Sequence, residues 1–247
     1  MNYQLIDGNN LIHRYIHTHA YPLLRFVELV RSSTCPIIVW DGANGLKKRR
    51  ALYPEYKVQR DRSKSSVTHE VMDVARELAD NLNCIQVRLD DAEADDVIAH
   101  MVTTLGKDNV SFIYSNDIDL AGFGIPTLYK KDVPDHLKLY KTLVGKSSDN
   151  VKGLRLFGPK AWEKLSDAQK WRIIAMLTDQ TIIADTGELD EKLEKKLTAD
   201  LPNLKTLWQI SNFLPITKEE LDAGTTLGKS DENTIEMIRQ ELMLWPT

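Results

Sequence analysis

Cysteine is nearly absent from this 247-residue chain: only Cys35 and Cys84 occur, with no CxxC spacing. That argues against a disulfide framework or a thiolate zinc site and suits a reducing cytosol. No apolar run approaches the roughly 20 residues that span a bilayer. No basic stretch leads into a hydrophobic one before the first strand-like segment. The expectation is therefore a cytoplasmic protein without a membrane partner. Repeats, low-complexity tracts and long Gly/Ser linkers are also missing, so a second lobe is expected to pack on the first. Net positive charge is lacking too, the total being −4. Yet Asp7, Asp41, Glu93, Asp95, Asp96, Asp117, Asp119 and Asp149 alone carry −8, which leaves the remainder at +4. Much of that is local: Lys47, Lys48, Arg49, Arg50, Lys57, Arg60, Arg62 and Lys64 stand against only Glu55 and Asp61 between 47 and 64. Such a stretch is either a docking place for a polyanion or a solvated basic loop.

Short β-rich runs near 3–7, 36–41, 84–88, 110–114 and 127–129 alternate with segments of helical period, the pattern of an α/β fold with a parallel sheet. The clearest helices are 67–82, with Val71, Ala75, Leu78 and Leu82 on one stripe, and 91–105, with Val97, Ile98, Met101, Val102 and Leu105. Asp90 or Asp91 is placed to cap the second. From about 135 the strands give out and a helical lobe follows, broken at Gly145, 153–159 and 185–187. The expected domains are 1–134 and 135–247.

Three apolar runs stop on or just before an aspartate: Asp7, Asp41 and Asp117. In open α/β sheets ligands bind beyond the carboxyl ends of strands, so these acids would share one edge. Extended geometry would turn Asp119 to the same side as Asp117. On the helix expected from 91, Glu93 and Asp96 are i,i+3 neighbours with Asp95 beside them. Singly, each acid is explained by a turn or by the helix dipole. Together they suit a hard divalent cation, magnesium or manganese, since carboxylates gathered without one repel each other.

Five motifs then resemble the 5′ nuclease superfamily, which includes the exonuclease domain of bacterial DNA polymerase I, stand-alone bacterial and phage 5′ nucleases, and the flap endonucleases. They are Leu5-Ile6-Asp7-Gly8-Asn9-Asn10-Leu11 with Arg14; Asp41-Gly42 with Leu52-Tyr53-Pro54-Glu55-Tyr56-Lys57-Val58-Gln59-Arg60; Glu93-Ala94-Asp95-Asp96; Ser115-Asn116-Asp117-Ile118-Asp119-Leu120; and Gly145-Lys146-Ser147-Ser148-Asp149-Asn150 followed by Gly158-Pro159-Lys160. The match runs from 4 to about 165. It implies a PIN-like (resolvase-like) core with a short helical arch near 57–82 and a duplex-binding helix-three-turn-helix near 145–168. It also implies a monomeric magnesium-dependent phosphodiesterase acting on DNA with 5′ flaps, overhangs or junctions. Asp7, Asp41, Glu93, Asp95, Asp96 and Asp117 would surround a first ion, with Asp95 and Asp117 central to catalysis, while Asp119 and Asp149 would serve a second. Lys57 and Arg60 would pull in the scissile phosphate, and Tyr56 would stack on a base of the unpaired end. Arg14, Lys146, Lys152, Arg155, Lys160 and Lys164 would contact phosphates, and the 153–158 turn would cradle potassium.

The sequence departs from that pattern twice. Lys146 stands where the family has an aspartate three residues before Asp149, and an ammonium opposes a cation. A firmly bound first ion and a weak or substrate-dependent second one are therefore expected. Leu156-Phe157 replaces Gly-Ile, which restricts close approach of the backbone to an ion. A PIN-like single-strand ribonuclease and a DNA-binding scaffold with decayed catalysis remain the competing readings.

Overall fold

The structure, a computed structural model, describes residues 2–59, 66–180, 187–234 and 236. It divides into two compact units, Met1–Lys47 with Arg62–Asp132 and Leu214–Thr247, and Lys48–Asp61 with Val133–Phe213. The boundary thus differs from the expected one at 134, because 48–61 groups with the helical lobe and 214–247 returns to the first unit.

The first unit is built on strands β1 (Tyr3–Asp7), β2 (Pro36–Trp40), β3 (Ile85–Arg88), β4 (Val110–Tyr114) and β5 (Thr225–Leu227) in the order β4-β1-β2-β3-β5. The first four are parallel and β5 runs antiparallel to β3. Alternation along β1 and β2 sends Ile6, Ile38 and Trp40 into the core formed with helices α1 (Gly8–Thr18), α2 (Pro22–Ser32) and α4 (Ser66–Asp80). Leu5, Ile37 and Val39, equally buried, alternate with them toward the face where α5 (Ala94–Leu105) lies against β1 and β2. Trp40 anchors the first face: it packs beside Phe26, and its indole N–H donates to Gln86 Oε1 at 2.9 Å. Burying a large apolar side chain of this kind contributes about 1.5–3 kcal/mol.

Four expectations are corrected. The run 127–129 is no strand but a single parallel bridge, Thr127 to Ile113, since Pro126 has no N–H to continue a ladder. The strands do not end at 135: β5 was missed because its three residues are all exposed and carry no alternating pattern. Helix α5 starts at Ala94, and neither Asp90 nor Asp91 caps it, because Leu89–Ala92 form a turn. Of the span 57–82 expected as an arch, α4 is a core helix, with Val71, Met72, Ala75, Leu78 and Ala79 buried; residues 60–65 lie outside the described residues. Among the described residues no helix is long and apolar enough to cross a membrane.

The second unit holds helices α7 (Leu137–Val144), α8 (Pro159–Trp162), α9 (Asp167–Thr178), α10 (Glu191–Ala199) and α11 (Leu201–Ser211), with α11 packed on α7, α9 and α10. Helix α3 (Lys47–Leu52) straddles the boundary, and its Arg49 joins this unit: the buried guanidinium donates to the carbonyls of Ile210 and Asn212 at the end of α11. Between α7 and α8 the chain turns through left-handed Gly145, Asn150, Gly153 and Leu156. Leu156, at φ 59° and 84% exposed, gains no packing in return for that strained backbone. Leu156→Gly is expected to raise stability by about 1 kcal/mol in a denaturant titration.

Candidate metal centre at the carboxyl edge of the sheet

Strand geometry delivers the first two acids directly. Asp7 is the last residue of β1 and Asp41 follows the last residue of β2, and the parallel register pairs Asp7 with Val39, two residues before Asp41. Asp117 arrives differently from the expected strand alternation. β4 stops at Tyr114, and Asp117 is the N-cap of the short helix α6 (Ile118–Ala121), its Oδ1 accepting the N–H of Asp119 at 2.8 Å. Asp119 therefore sits in a helical first turn, not on an extended segment.

The carboxylates are held by local backbone donors. Asp7 Oδ1 accepts the N–H of Asn10 at 3.1 Å and caps α1, while Oδ2 accepts the hydroxyl of Ser115 at 2.9 Å. Asp41 Oδ1 accepts the N–H of Ala94 at 2.8 Å, so the carboxylate at the end of β2 serves the orphan donor at the start of α5. This replaces the expected Asp90 or Asp91 cap. Glu93 is the N-cap residue of α5 with no side-chain capping bond, and Asp95 and Asp96 occupy the first turn. Asp96 is 1% exposed, and its Oδ1 accepts the N–H of Leu214 at 2.7 Å.

Burial, then the charge of Asp41, then that of Asp117, drive the Asp7 carboxyl up from 3.8 to about 7, against the hydrogen bonds from Asn10 and Ser115. A buried carboxyl beside two others is costly to ionise without a compensating positive charge, and an oxygen-only donor set suits a hard divalent ion. The fit is chemical: among the described residues no three His, Cys, Asp or Glu side chains stand together as ligands, with Asp7, Asp41, Asp96 and Asp117 turned to backbone donors. A cavity of about 580 Å³ opens at the opposite end of the strands, lined by Tyr3, Cys35, Pro36, Cys84 and Ile85, and none of the expected site residues lines it.

The structure also brings in residues whose part the motifs alone did not reveal. Ser115, fully buried, donates to Asp7 and accepts the N–H of Asp117 at 3.2 Å, which couples two of the acids. Asn9 Oδ1 accepts the N–H of Asp41 at 3.0 Å, and Asn10 Oδ1 accepts the N–H of Asn116 at 3.0 Å. The available signal was three short polar side chains abutting strand-end aspartates. Ser115→Ala is expected to weaken magnesium binding about tenfold without unfolding the protein, as read by calorimetric titration.

Arg14 is exposed on α1. Asp149, Lys57, Lys146 and Tyr56 lie in the second unit. Tyr56 is 5% exposed and its ring is faced by the Lys57 ammonium at 4.9 Å and the Arg49 guanidinium at 5.7 Å; it presents no open face for base stacking, which corrects that expectation. Lys152, Arg155, Lys160 and Lys164 are all exposed. Arg60 lies outside the described residues.

Residues 2–124 match the model of the 5′-3′ exonuclease N-terminal resolvase-like domain. The chain therefore carries a 5′-3′ exonuclease N-terminal resolvase-like domain. Its relatives include the 5′-3′ exonuclease of Mycoplasmopsis pulmonis (strain UAB CTIP), 26% identical over 194 residues that cover 65% of this chain and 64% of that one. DNA polymerase I of Bacillus subtilis (strain 168) is 25% identical over 229 residues, 77% of this chain and 26% of the polymerase. The match thus spans just under two thirds of the first relative and about a quarter of the second. The fold is that of T5 5′-exonuclease, solved with bound divalent metal ions (zinc), at a TM-score of 0.67, 18% identity and 99% coverage of both chains. The catalytic core of Rad2, solved with a DNA substrate, aligns at a TM-score of 0.56 and 17% identity over 99% of this chain and 88% of that one.

Proposed function

We propose that this chain is a divalent-metal-dependent 5′ nuclease that hydrolyses DNA phosphodiesters at 5′ flaps and 5′ ends. The observation that carries the reading is the gathering of Asp7, Asp41 and Asp117 at the carboxyl edge of the sheet, where burial first and the neighbouring charges second push the Asp7 carboxyl to about 7. Asp7, Asp41, Glu93, Asp95, Asp96 and Asp117 are the residues that would hold magnesium or manganese, with Asp119 beside them. When bound, such an ion lowers the pKa of a coordinated water and polarises the phosphate. The chain's own contribution is to orient these carboxylates: Ser115 and Asn10 hold Asp7, and Asn9 holds the backbone of Asp41. Lys57 and Arg60 would neutralise the scissile phosphate. Arg14, Lys152, Arg155, Lys160 and Lys164 would meet duplex phosphates without reading bases. The carbonyls of the 153–158 turn would hold a potassium ion. The protein works as a monomer in this reading.

The test compares the wild-type chain and Asp117→Ala on a 5′-flap DNA and a matched single-stranded RNA, with magnesium and with chelator. Magnesium-dependent flap cleavage that falls on the order of a thousandfold in Asp117→Ala is the expected result. Cleavage of the RNA alone would move the protein to the single-strand ribonucleases, and duplex binding without cleavage would make it a scaffold.

A further inference from the structure

Asp149 is 4% exposed in the second unit, and each of its oxygens faces an ammonium: Lys146 Nζ stands 3.2 Å from Oδ2 and Lys57 Nζ 3.9 Å from Oδ1. The two lysine side chains are only 19% and 7% exposed. The frame around this triad is closely tied. Lys146 and Val151 exchange both backbone hydrogen bonds, which closes the 146–151 loop, and Asp149 lies in the single 3-10 turn inside it. The segment 53–59 is laced to that loop along its length: Tyr53 Oη donates to Asn150 O, Asn150 Nδ2 to Glu55 O at 2.8 Å, Lys57 N–H to Asp149 O at 3.0 Å, and Gln59 Nε2 to Ser147 O at 2.8 Å. Lys57 sits at φ 51°, a left-handed backbone that a lysine adopts only under constraint, and Arg50 holds it there by donating to the carbonyls of Tyr56 and Lys57.

A divalent ion on Asp149 would have to displace one ammonium and then stand beside it, with twice the repulsion of two unit charges. The residues present do not fit a cation there. They do fit a phosphate, because two ammoniums against one carboxylate leave the triad with a net charge of +1, and ammonium–phosphate contacts are charge-assisted. We propose that Asp149 is a positioning residue and not a metal ligand: it orients the Lys57 and Lys146 ammoniums as a seat for one phosphate of the nucleic-acid substrate. The proposal rests on the nuclease reading for its substrate but not for its ion count.

The experiment counts manganese bound to the chelator-stripped full chain by electron paramagnetic resonance, then measures flap-DNA kinetics as magnesium varies. Asp149→Asn is expected to leave the manganese count unchanged and to raise KM for flap DNA about tenfold with a smaller change in kcat, the loss of one charge-assisted contact. Lys146→Asp is expected to add one manganese per chain and to steepen the magnesium dependence. A count that drops by one in Asp149→Asn, or fails to rise in Lys146→Asp, overturns the proposal. Melting curves check folding, and if Asp149→Asn does not fold, Lys146→Met carries the same test: an unchanged count with raised KM supports the phosphate seat, and an unchanged KM sinks it. A wild-type chain that cleaves no flap DNA with magnesium refutes the nuclease reading, whereas the manganese counts still decide the role of Asp149.

Discussion

Asparagine in place of Asp7 is expected to abolish magnesium-dependent cleavage and, in the same protein, to raise Tm at neutral pH when metal is withheld. Both effects have one cause. The carboxyl of Asp7 is lifted from 3.8 to about 7 by burial and by the charges of Asp41 and Asp117. A group whose folded pKa lies above its unfolded value binds more protons when folded, so stability falls as pH rises between the two values. Below about 4 the carboxyl is protonated in both states and the substitution changes little; above about 7 it is ionised in both and the full cost of a buried charge beside Asp41 and Asp117 is felt. A rise of that size corresponds to roughly 4 kcal/mol, and asparagine removes the charge responsible for it. The amide keeps an oxygen for the N–H of Asn10 and offers N–H groups to Ser115 Oγ, so the local hydrogen bonds survive. Thermal melts of both proteins in chelator from pH 4 to 8 should diverge progressively, with the variant the more stable at the upper end. Magnesium should raise Tm of the wild type and leave that of Asp7→Asn almost unmoved. Equal Tm values across the range would mean that the acidic edge carries no such cost.

A second large effect is expected at Gly42, next to Asp41. A Cβ there would lie 2.0 Å from the carbonyl oxygen of Leu89 and 2.4 Å from that of Asp90, both of them backbone atoms with no rotamer to give way. The same corner is stitched by Gly42 N–H to Ala92 O and Asn44 N–H to Asp90 O, so the loop after β2 and the turn before α5 would have to separate. Gly42→Ala should cost about 3 kcal/mol or more in a denaturant titration. It should also weaken magnesium binding, because Asp41 and Glu93 sit on the two sides of that contact. Retained stability with full metal binding would show that the corner can open without consequence.

Much of the acidic edge was legible in the chain because the strand-end position of Asp7 and Asp41 follows from short apolar runs, and period two places such residues without knowledge of the rest. Helix α4 was legible for the same kind of reason, its stripe Val71, Ala75 and Leu78 being buried as the 3.6 period requires. What was not legible involved partners far apart in sequence. Capping of α5 looked local, with Asp90 or Asp91 at hand, yet the donor of Ala94 is met by Asp41 across 53 residues. Tyr56 was expected to stack on a base of the unpaired end, but two cations facing its ring and 5% exposure make it part of the framework. Strand β5 had no pattern to read, since an exposed three-residue edge strand is held by backbone hydrogen bonds that any sequence can make.

The order of residues alone therefore determined the α/β class, the resemblance to the 5′-3′ exonucleases, and which acids stand at the strand ends, all of which depend on local periodicity and on motifs in register. Only the tertiary structure decided how those charges are partnered: Asp7 against Asp41 and Asp117 with Ser115 between two of them, and Asp149 between Lys146 and Lys57. Electrostatic partnership depends on distance and burial, and neither follows from position along the chain when the groups come from different strands and loops.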